Sequence, residues 1–538
     1  MKVLFWGVSP WANSGYGVAT RNLVPQLQKG HEVAVFAYAG LGSADREFNG
    51  APVFRNPERD WGLTWIGHYC SQFEPDIVIS WFDPWVVKDL IPSEVSDRLV
   101  TYAIIDSSPL SPPLKLCLEA SKRVVPPSYW SKRVIEQAGL APEDPIYHGV
   151  STRTFYPQDK LECRRKLGLP EDSFIFFLVG TNLGMRKNIP NTMRAFKDFL
   201  DRCPEARRDS LLILHTHPLP GDGGYNLGEI WGDALKGPAE NILFTRPDDY
   251  VLGISDEQMA RRYGASDILV LCSMGEGFGF PVIEAGACGV PAIATNYSAL
   301  PELVQGRGYL VNVAESIPLP LTSSWQAIPS TEDISRKMEY AYYHREEVKA
   351  LGEKAREFAL TLDWDIIGEK WRRLLSDIEV TPAPAVSGLT LDIGCGSHCR
   401  GDYGLDLTFE TTATEHLDKL VGETRPDARL IKHDLNDGSL PFGDGMFDKV
   451  LAIHSLEHLR SPFNVLKEVK RVLKPDGRFI CAVPNPRGNN ADMIDKTHLY
   501  SFTSDALSNL LSQFFVVKKI DFVQRGMDIL AEARNENA

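Results

Sequence analysis

Gly275-Glu-Gly-Phe-Gly-Phe-Pro-Val-Ile-Glu-Ala-Gly-Ala-Cys-Gly-Val-Pro-Ala-Ile-Ala-Thr295 decides the reading of the chain. It follows Asp267-Ile-Leu-Val-Leu-Cys-Ser273, an apolar run with the character of a buried parallel strand. The glycines from Gly275 to Gly279 let backbone N–H groups come close to a ligand. Phe280-Pro281 then opens a helix, with proline in the first turn where its missing N–H costs little. A loop feeding a helix N-terminus suits a phosphate, because free N–H groups and the helix dipole both favour an anion. Two carboxylates frame the loop, Glu276 within it and Glu284 one turn into the helix, with seven residues between them. Glu284 is placed to accept from ribose hydroxyls and Glu276 from sugar hydroxyls, which describes a nucleotide-sugar site.

The same stretch resembles the Glu-x7-Glu motif of the retaining glycosyltransferases of family 4 (glycosyl transferases group 1), whose fold is GT-B, two Rossmann-like domains around a cleft. Gly-Val-Pro-Ala-Ile-Ala-Thr295 and Leu300-Pro-Glu-Leu-Val304 continue the likeness. Further matches lie on both sides. Lys2–Val8 reads as a strand, Ser9–Gly17 as a loop, Val18–Gln28 as a helix and His31–Tyr38 as the next strand, a βαβ start. The loop lacks Gly-x-Gly-x-x-Gly, but Gly15 and Gly17 match the family's first loop, which reaches the cleft beside donor and acceptor. Asp76–Trp81 and Leu99–Ile105 read as strands, the second ending in Asp106 at the edge where open α/β sheets bind ligands. Many family members carry a histidine near this point, and Asp106 stands in its place here. Asp106 is the candidate to orient or deprotonate an acceptor hydroxyl, with turn capping as the alternative. Pro145-Ile-Tyr-His-Gly-Val150 and Phe155-Tyr-Pro157 resemble the crossover between the two halves, with Ser151 where aspartate is usual.

Ser173–Gly180 is an apolar strand followed by Thr181–Asn188. Arg186 and Lys187 match basic residues of the family that neutralise the departing diphosphate. His215-Thr-His217 places two rings on one strand face, without an evident third ligand. Asp363–Leu375 resembles the last helix of family members, which crosses back onto the first half, and its Trp364, Ile367 and Trp371 recur at helical spacing and read as packing residues.

Thr381-Pro-Ala-Pro-Ala-Val-Ser-Gly388 is a short Pro/Ala-rich linker, after which an α/β pattern begins afresh. Leu389-Thr-Leu-Asp-Ile-Gly-Cys-Gly396 resembles the first motif of class I S-adenosylmethionine-dependent methyltransferases, a Rossmann-like fold. The resemblance implies that Asp392, Gly394 and Gly396 cradle the methionine part of the cofactor. It implies that Asp406, ending Tyr403-Gly-Leu-Asp, accepts from its ribose. It also implies that Asp434 and Leu435 meet its adenine. About ten residues join the first strand to Asp406, so the usual intervening helix is expected to be very short or absent. Phe447–His454 reads as the fourth strand, and His454, Glu457, His458 and His498 are candidates to hold or deprotonate a methyl acceptor. Asp495–Phe502 resembles a cleft-lining segment, which favours His498 as the base.

These matches divide the chain into an acceptor-side domain (1–160), a nucleotide-sugar domain with the crossover helix (161–378), a linker (379–388), a methyltransferase domain (389–525) and a tail (526–538), polar and frayed over Leu530–Ala538. The length of 538 residues accommodates about three or four domains, and 43% hydrophobic with 24% charged residues is ordinary for a globular protein. The net charge of −14 argues against a broad nucleic-acid or anionic-membrane surface. Nine singly scattered cysteines suit a reduced compartment. Cys395 and Cys399 find no second pair at zinc spacing, so no metal is expected. No leader peptide and no run of membrane-spanning length are expected either. Localisation is expected to be cytoplasmic, with peripheral membrane association left open; oligomeric state is not legible.

The expected function is bifunctional. A sugar passes with retention from a UDP-, GDP- or ADP-linked donor to a glycan or glycoconjugate. A methyl group then passes from S-adenosylmethionine to a hydroxyl of the same product. In this reading Asp106, Glu276, Arg186, Lys187 and His498 are catalytic. Gly15, Gly17, Gly277, Phe278, Gly279 and Glu284 bind the donor. Asp392, Gly394, Gly396, Asp406, Asp434 and Leu435 bind the cofactor. Two other readings stay open: transfer to a modified base of DNA, which the acidic balance disfavours, and a C-terminal unit that serves only for docking.

Overall fold

The computed structural model describes residues 1–40, 46–56, 60–63, 65–84, 93–220, 223–251, 253–320, 323–378, 388–409, 424–425, 428–486, 497–523 and 527–536. The linker proper therefore lies outside the described residues except at Gly388, and so does the start of the cleft-lining segment, up to Lys496. The chain forms two compact units, Met1–Thr381 and Pro382–Ala538.

The first unit contains two parallel sheets, each built from short runs buried on both faces. In the first sheet β1 (Lys2–Gly7), β2 (Glu32–Ala37), β3 (Glu47–Phe48), β4 (Ala51–Arg55), β5 (Ile77–Ser80), β6 (Leu99–Tyr102) and β7 (Arg123–Val125) lie in the order β3-β4-β2-β1-β5-β6-β7. Only the β3–β4 pair among these is antiparallel. In the second, β8 (Phe174–Val179), β9 (Ser210–His215), β10 (Ile242–Phe244), β11 (Ile268–Leu271), β12 (Ala292–Thr295) and β13 (Tyr309–Val311) lie in the order β10-β9-β8-β11-β12-β13. The strand order reverses between β1 and β5 and between β8 and β11, which opens a crevice at the carboxyl ends of each sheet.

Two elements tie the halves together. The helix Trp364–Ser376 returns to the first half, where Trp371 sits 5.5 Å from Trp81 and 5.6 Å from Tyr102, ring centre to ring centre. Arg372 Nη1 donates to the carbonyl of Gln26 at 2.7 Å, on the helix Gly15–Leu27. The close crossing requires glycine: a Cβ on Gly368 would lie 2.4 Å from the Cβ of Gln26. The second tie was not expected from the sequence. Beyond β13 the chain does not end its sheet structure but forms an antiparallel hairpin, β14 (Val313–Pro318) and β15 (Trp325–Pro329). Trp325 of this hairpin exchanges backbone hydrogen bonds with Ser108 of the first half, at 2.8 and 3.2 Å.

The second unit has β16 (Thr390–Ile393), β17 (Tyr403–Asp406), β18 (Arg429–Lys432), β19 (Phe447–Ile453), β20 (Leu473–Pro484), β21 (Val516–Val523) and β22 (Asp528–Arg534), ordered β18-β17-β16-β19-β20-β22-β21. No helix lies between β16 and β17. The expected frayed tail is corrected here. Residues 528–534 form β22, inserted antiparallel between β20 and β21. Ile529, Ala531 and Ala533 are buried, while Glu532 accepts from Arg478 at 2.9 Å, so a strand of mixed polarity is held by core burial on one face. Among the described residues no helix is long and apolar enough to cross a membrane.

The glycine loop itself is part of the packing between halves. A Cβ on Gly277 would stand 2.2 Å from Ile104 Cγ2, and one on Gly275 would stand 2.2 Å from the carbonyl oxygen of Asp106. Gly277→Ala therefore lowers the stability of the first unit by about 1–3 kcal/mol through overpacking, and the double variant with Ile104→Ala loses less than the sum of the two single variants. Calorimetric unfolding checks this; a single Gly277→Ala variant that melts with the parent contradicts it.

Candidate functional site

The loops after β1, β5, β6, β8 and β11 meet around one cavity of about 600 Å³. Its walls include Gly15, Asp106, Arg186, Lys187, Glu276–Gly279 and Glu284, so these residues, drawn from both halves, converge on a single space. Gly17 stands outside the lining. Its role is local, since a Cβ there would lie 2.2 Å from the carbonyl oxygen of Ala12 and block the turn that starts the helix Gly15–Leu27. Gly15 leaves room for Phe280, whose ring would be 3.3 Å from a Cβ.

At the centre is an ion cluster. Lys187 Nζ donates to Glu276 Oε1 at 2.5 Å and Arg186 Nη1 to Oε2 at 3.1 Å. Arg186 Nη1 also donates to the carbonyl of Gly275 at 2.9 Å, and its Nε lies 4.0 Å from Asp106. Burial alone raises the Glu276 carboxyl, but Lys187 and Arg186 overcome it and hold the group down to about 2. Glu276 likewise raises the Arg186 guanidinium. Burial lowers Lys187 against the pull of Glu276, and Arg186 beside it adds to that lowering. We read the trio as charged, because a 2.5 Å contact to a strongly acidic carboxylate keeps the ammonium paired.

Asp106 is raised by desolvation, which the Arg186 guanidinium opposes. Gln326 Nε2, on β15, donates to Asp106 Oδ2 at 3.1 Å, so the hairpin orients the aspartate across the cleft. Glu284, in the helix Phe280–Ala287, accepts from the Tyr263 hydroxyl at 2.9 Å, and burial pushes its carboxyl up to about 8.

Three cavity residues were missed by sequence reasoning. Tyr16 donates its hydroxyl to Asp83 Oδ1 at 2.5 Å at the mouth of the first loop. His148, read only as part of the crossover motif, is buried and packs on Phe278 and Phe280 at 4.9 and 4.4 Å. Burial pushes its imidazole down to about 3, so it is neutral near pH 7. Tyr16 lies in the first turn of the helix Gly15–Leu27, Asp83 follows β5 and His148 lies in the stretch after the helix Tyr129–Gln137, and their partners lie far off in sequence. The His215–His217 pair does not act together: His215 Nδ1 meets Thr245 and His217 Nδ1 meets the Leu219 carbonyl, both at 3.0 Å.

In the second unit the glycine turn follows β16 at the reversal of strand order between β16 and β19. Gly394 and Gly396 have φ of 66° and 54°, which glycine adopts without strain. A Cβ on Gly394 would lie 2.5 Å from Ser455 Oγ. Asp406, at the end of β17, accepts from the N–H of Gly396 at 2.7 Å and of Thr408 at 3.1 Å. A carboxylate has about four acceptor sites, so room remains for hydroxyl donors. Asp392 is buried and accepts from the N–H of Arg400 at 2.8 Å, and desolvation raises it to about 7. Its Oδ2 thereby holds the backbone of Arg400, beyond the glycine turn. Asp434 caps the short turn Leu435–Asp437, with Oδ1 accepting from the N–H and side chain of Asn436, both at 2.9 Å. His498 lies against His458, ring centres 4.7 Å apart. This arrangement, a glycine turn flanked by an acid on the neighbouring strand, fits a nucleoside-bearing cofactor.

Comparison with known proteins agrees with both halves of this description. Residues 159–358 match the family described as Glycosyl transferases group 1, and residues 391–481 match one described as Methyltransferase domain. Among curated proteins, D-inositol 3-phosphate glycosyltransferase 2 of Catenulispora acidiphila is 32% identical over 153 residues, 28% of this chain and 34% of that protein. The D-inositol 3-phosphate glycosyltransferase of Streptomyces avermitilis is 32% identical over 173 residues, 31% and 35% of the two chains. The chain thus spans about a third of the length of the curated relatives it matches. Among solved structures, sucrose-phosphate synthase from Thermosynechococcus elongatus superposes with a TM-score of 0.55 at 18% identity, covering 70% of this chain and 98% of that one. Anabaena Alr3699/HepE in complex with UDP and glucose gives 0.52 at 19% identity, covering 70% and 100%. The structural likenesses show a GT-B fold for the first unit, in which residues 159–358 carry the match to glycosyl transferases group 1, while residues 391–481 of the second unit carry the match to a methyltransferase domain.

Proposed function

We propose that the protein is a bifunctional transferase that moves a sugar from a nucleotide-sugar to a glycan or glycoconjugate, with retention, and then methylates a hydroxyl of that product. The observation that carries the first half is the convergence of Arg186, Lys187, Glu276 and Glu284 on one cavity. Glu284 takes the ribose hydroxyls. The Gly277–Gly279 backbone and Glu276 take the sugar and its phosphate. Arg186 and Lys187 together carry one positive charge beyond what Glu276 balances, so they favour the diphosphate more as it leaves and gains charge than while it is esterified. Asp106, from the opposite wall, positions the acceptor hydroxyl or takes its proton; its raised pKa moves it towards the range a base needs. The hydroxyl enters on the face the diphosphate vacates, which preserves the anomeric configuration. Support for a donor of this kind comes from the Anabaena protein of the same fold, which is held in complex with UDP-glucose.

In the second unit Gly394, Gly396, Asp406 and Asp434, with Leu435, would hold S-adenosylmethionine, which supplies an electrophilic methyl group. His498 would receive or orient the acceptor hydroxyl. Positioning supplies most of the rate in such a displacement.

Incubation with UDP-, GDP- and ADP-linked sugars, read as nucleotide release by mass, tests the reading. One nucleotide series is released, and Arg186→Met or Lys187→Met lowers the rate about 100-fold or more. Asp106→Asn loses transfer but keeps donor binding. Absence of release from every donor, or unchanged turnover in Asp106→Asn, overturns these assignments.

Glu284 also makes a pH prediction. Its carboxyl sits at about 8 in the fold against an ordinary 4.5, so its contribution to stability is full below 4.5 and is lost as pH rises through about 8. Glu284→Gln cannot ionise. Its melting temperature relative to the parent therefore rises between pH 5 and pH 9, and a constant difference contradicts the assignment. For the second unit, S-adenosylmethionine raises the melting temperature of the full chain, and Asp406→Asn diminishes the shift. No shift in the parent overturns the cofactor.

A further inference from the structure

Glu457 and His458 occupy the short turn Leu456–His458 after β19, and His498 lies on the segment that leads to the helix Ser504–Leu511. The fold brings these side chains together: one ligand-capable atom from each lies within 4.8 Å of the others. The fold thus assembles a candidate ligand set from two stretches of chain, where the sequence reading expects no metal. Several contacts hold the stretches in this relation. The backbone N–H groups of Leu499 and Tyr500 both donate to the carbonyl of Glu457, at 2.7 and 3.2 Å. The Tyr500 hydroxyl donates to the carbonyl of Arg460 at 3.0 Å. Thr497 Oγ1 lies 3.0 Å from His458 Nδ1. When Nδ1 donates its proton to Thr497, the lone pair of the His458 ring sits on Nε2, the arrangement by which a neighbouring oxygen orients a metal-ligating imidazole. Glu457 is 1% exposed, and the two histidine rings are half-buried. The cluster therefore has a closed carboxylate side and a more open imidazole side.

We propose that Glu457, His458 and His498 bind a divalent transition-metal ion. Two imidazoles and one carboxylate suit zinc, cobalt or iron, whereas magnesium and calcium call for oxygen ligands throughout. Three protein ligands also leave a coordination position open to water or an incoming oxygen. The ion lies beside the glycine turn: Ser455, two residues before Glu457, donates its hydroxyl to the carbonyl of Ile393 at 2.9 Å. An acceptor hydroxyl bound there would be polarised next to the proposed cofactor cradle. With the ion bound His498 is a ligand, so it orients the acceptor hydroxyl through the ion and does not take its proton; the metal site itself does not depend on methyl transfer.

The test is titration of the metal-stripped full chain with Co²⁺, read by visible absorption, followed by displacement with Zn²⁺. One equivalent of Co²⁺ binds with visible bands, and Zn²⁺ abolishes them. His498→Ala and His458→Gln remove the bands while leaving nucleotide release by the first unit intact. Thr497→Val keeps all three ligands and the fold, and weakens Co²⁺ binding about 10- to 100-fold. Absence of saturable Co²⁺ and Zn²⁺ binding overturns the proposal, as does binding that persists unweakened in both histidine variants.

Discussion

A carboxylate taken out of water must be compensated where it lies, and Glu276 meets that demand with two cations from another loop. Arg186 and Lys187 reach it from the turn after β8, while Glu276 belongs to the turn after β11, the strand beside β8 in the sheet. The backbone repeats the link, since the N–H of Met274 donates to the carbonyl of Arg186 at 2.8 Å. Ser298 fixes the other side by accepting from the N–H of Glu276 at 2.9 Å. Losing both cations would leave the buried carboxylate without its balance, at a cost of about 3–5 kcal/mol. The geometry of the cluster is thereby set by folding before any ligand arrives, which is what a site for a departing anion requires.

Everything else in the first unit delivers the opposite wall to this cluster. Gly275 and Gly277 have no side chains because residues 104–106 stand where those side chains would be. The hairpin β14–β15 locks the same segment through Trp325 and Ser108 and turns Asp106 with Gln326. Behind it, Trp81 and Tyr102 stack at 3.9 Å and receive Trp371 from the returning helix. The glycines of the loop are thus committed to two tasks: closeness to a ligand, and closeness of one half to the other.

Much of this was legible in the sequence. The apolar runs at Lys2–Val8, Ser173–Gly180 and Asp267–Ser273 are β1, β8 and β11, because strands buried on both faces leave no polar alternation to confuse them. Glu276 and Glu284 were visible through their spacing and the glycines and proline around them, and Arg186 and Lys187 through their place after an apolar strand and the family resemblance. What escaped was structure whose residues face solvent or whose partners are remote. β14 carries Glu315 and Ser316 on exposed positions and reads as a loop; only its pairing with β15 makes it a strand. β22 mixes Glu532 and Arg534 with small apolar residues and reads as a tail. Glu457, His458 and His498 were each recognisable as reactive side chains, yet nothing local places residue 498 beside residue 458.

The central claim is that the Arg186–Glu276–Lys187 cluster recognises a diphosphate. Calorimetric titration of the parent protein with a nucleoside diphosphate and the matching monophosphate tests it most directly, repeated on Glu276→Gln and on Arg186→Met/Lys187→Met. The account predicts at least tenfold tighter binding of the diphosphate by the parent, a preference that the double variant loses and Glu276→Gln alters. Equal affinity for the two nucleotides, or a preference that survives removal of both cations, would contradict it.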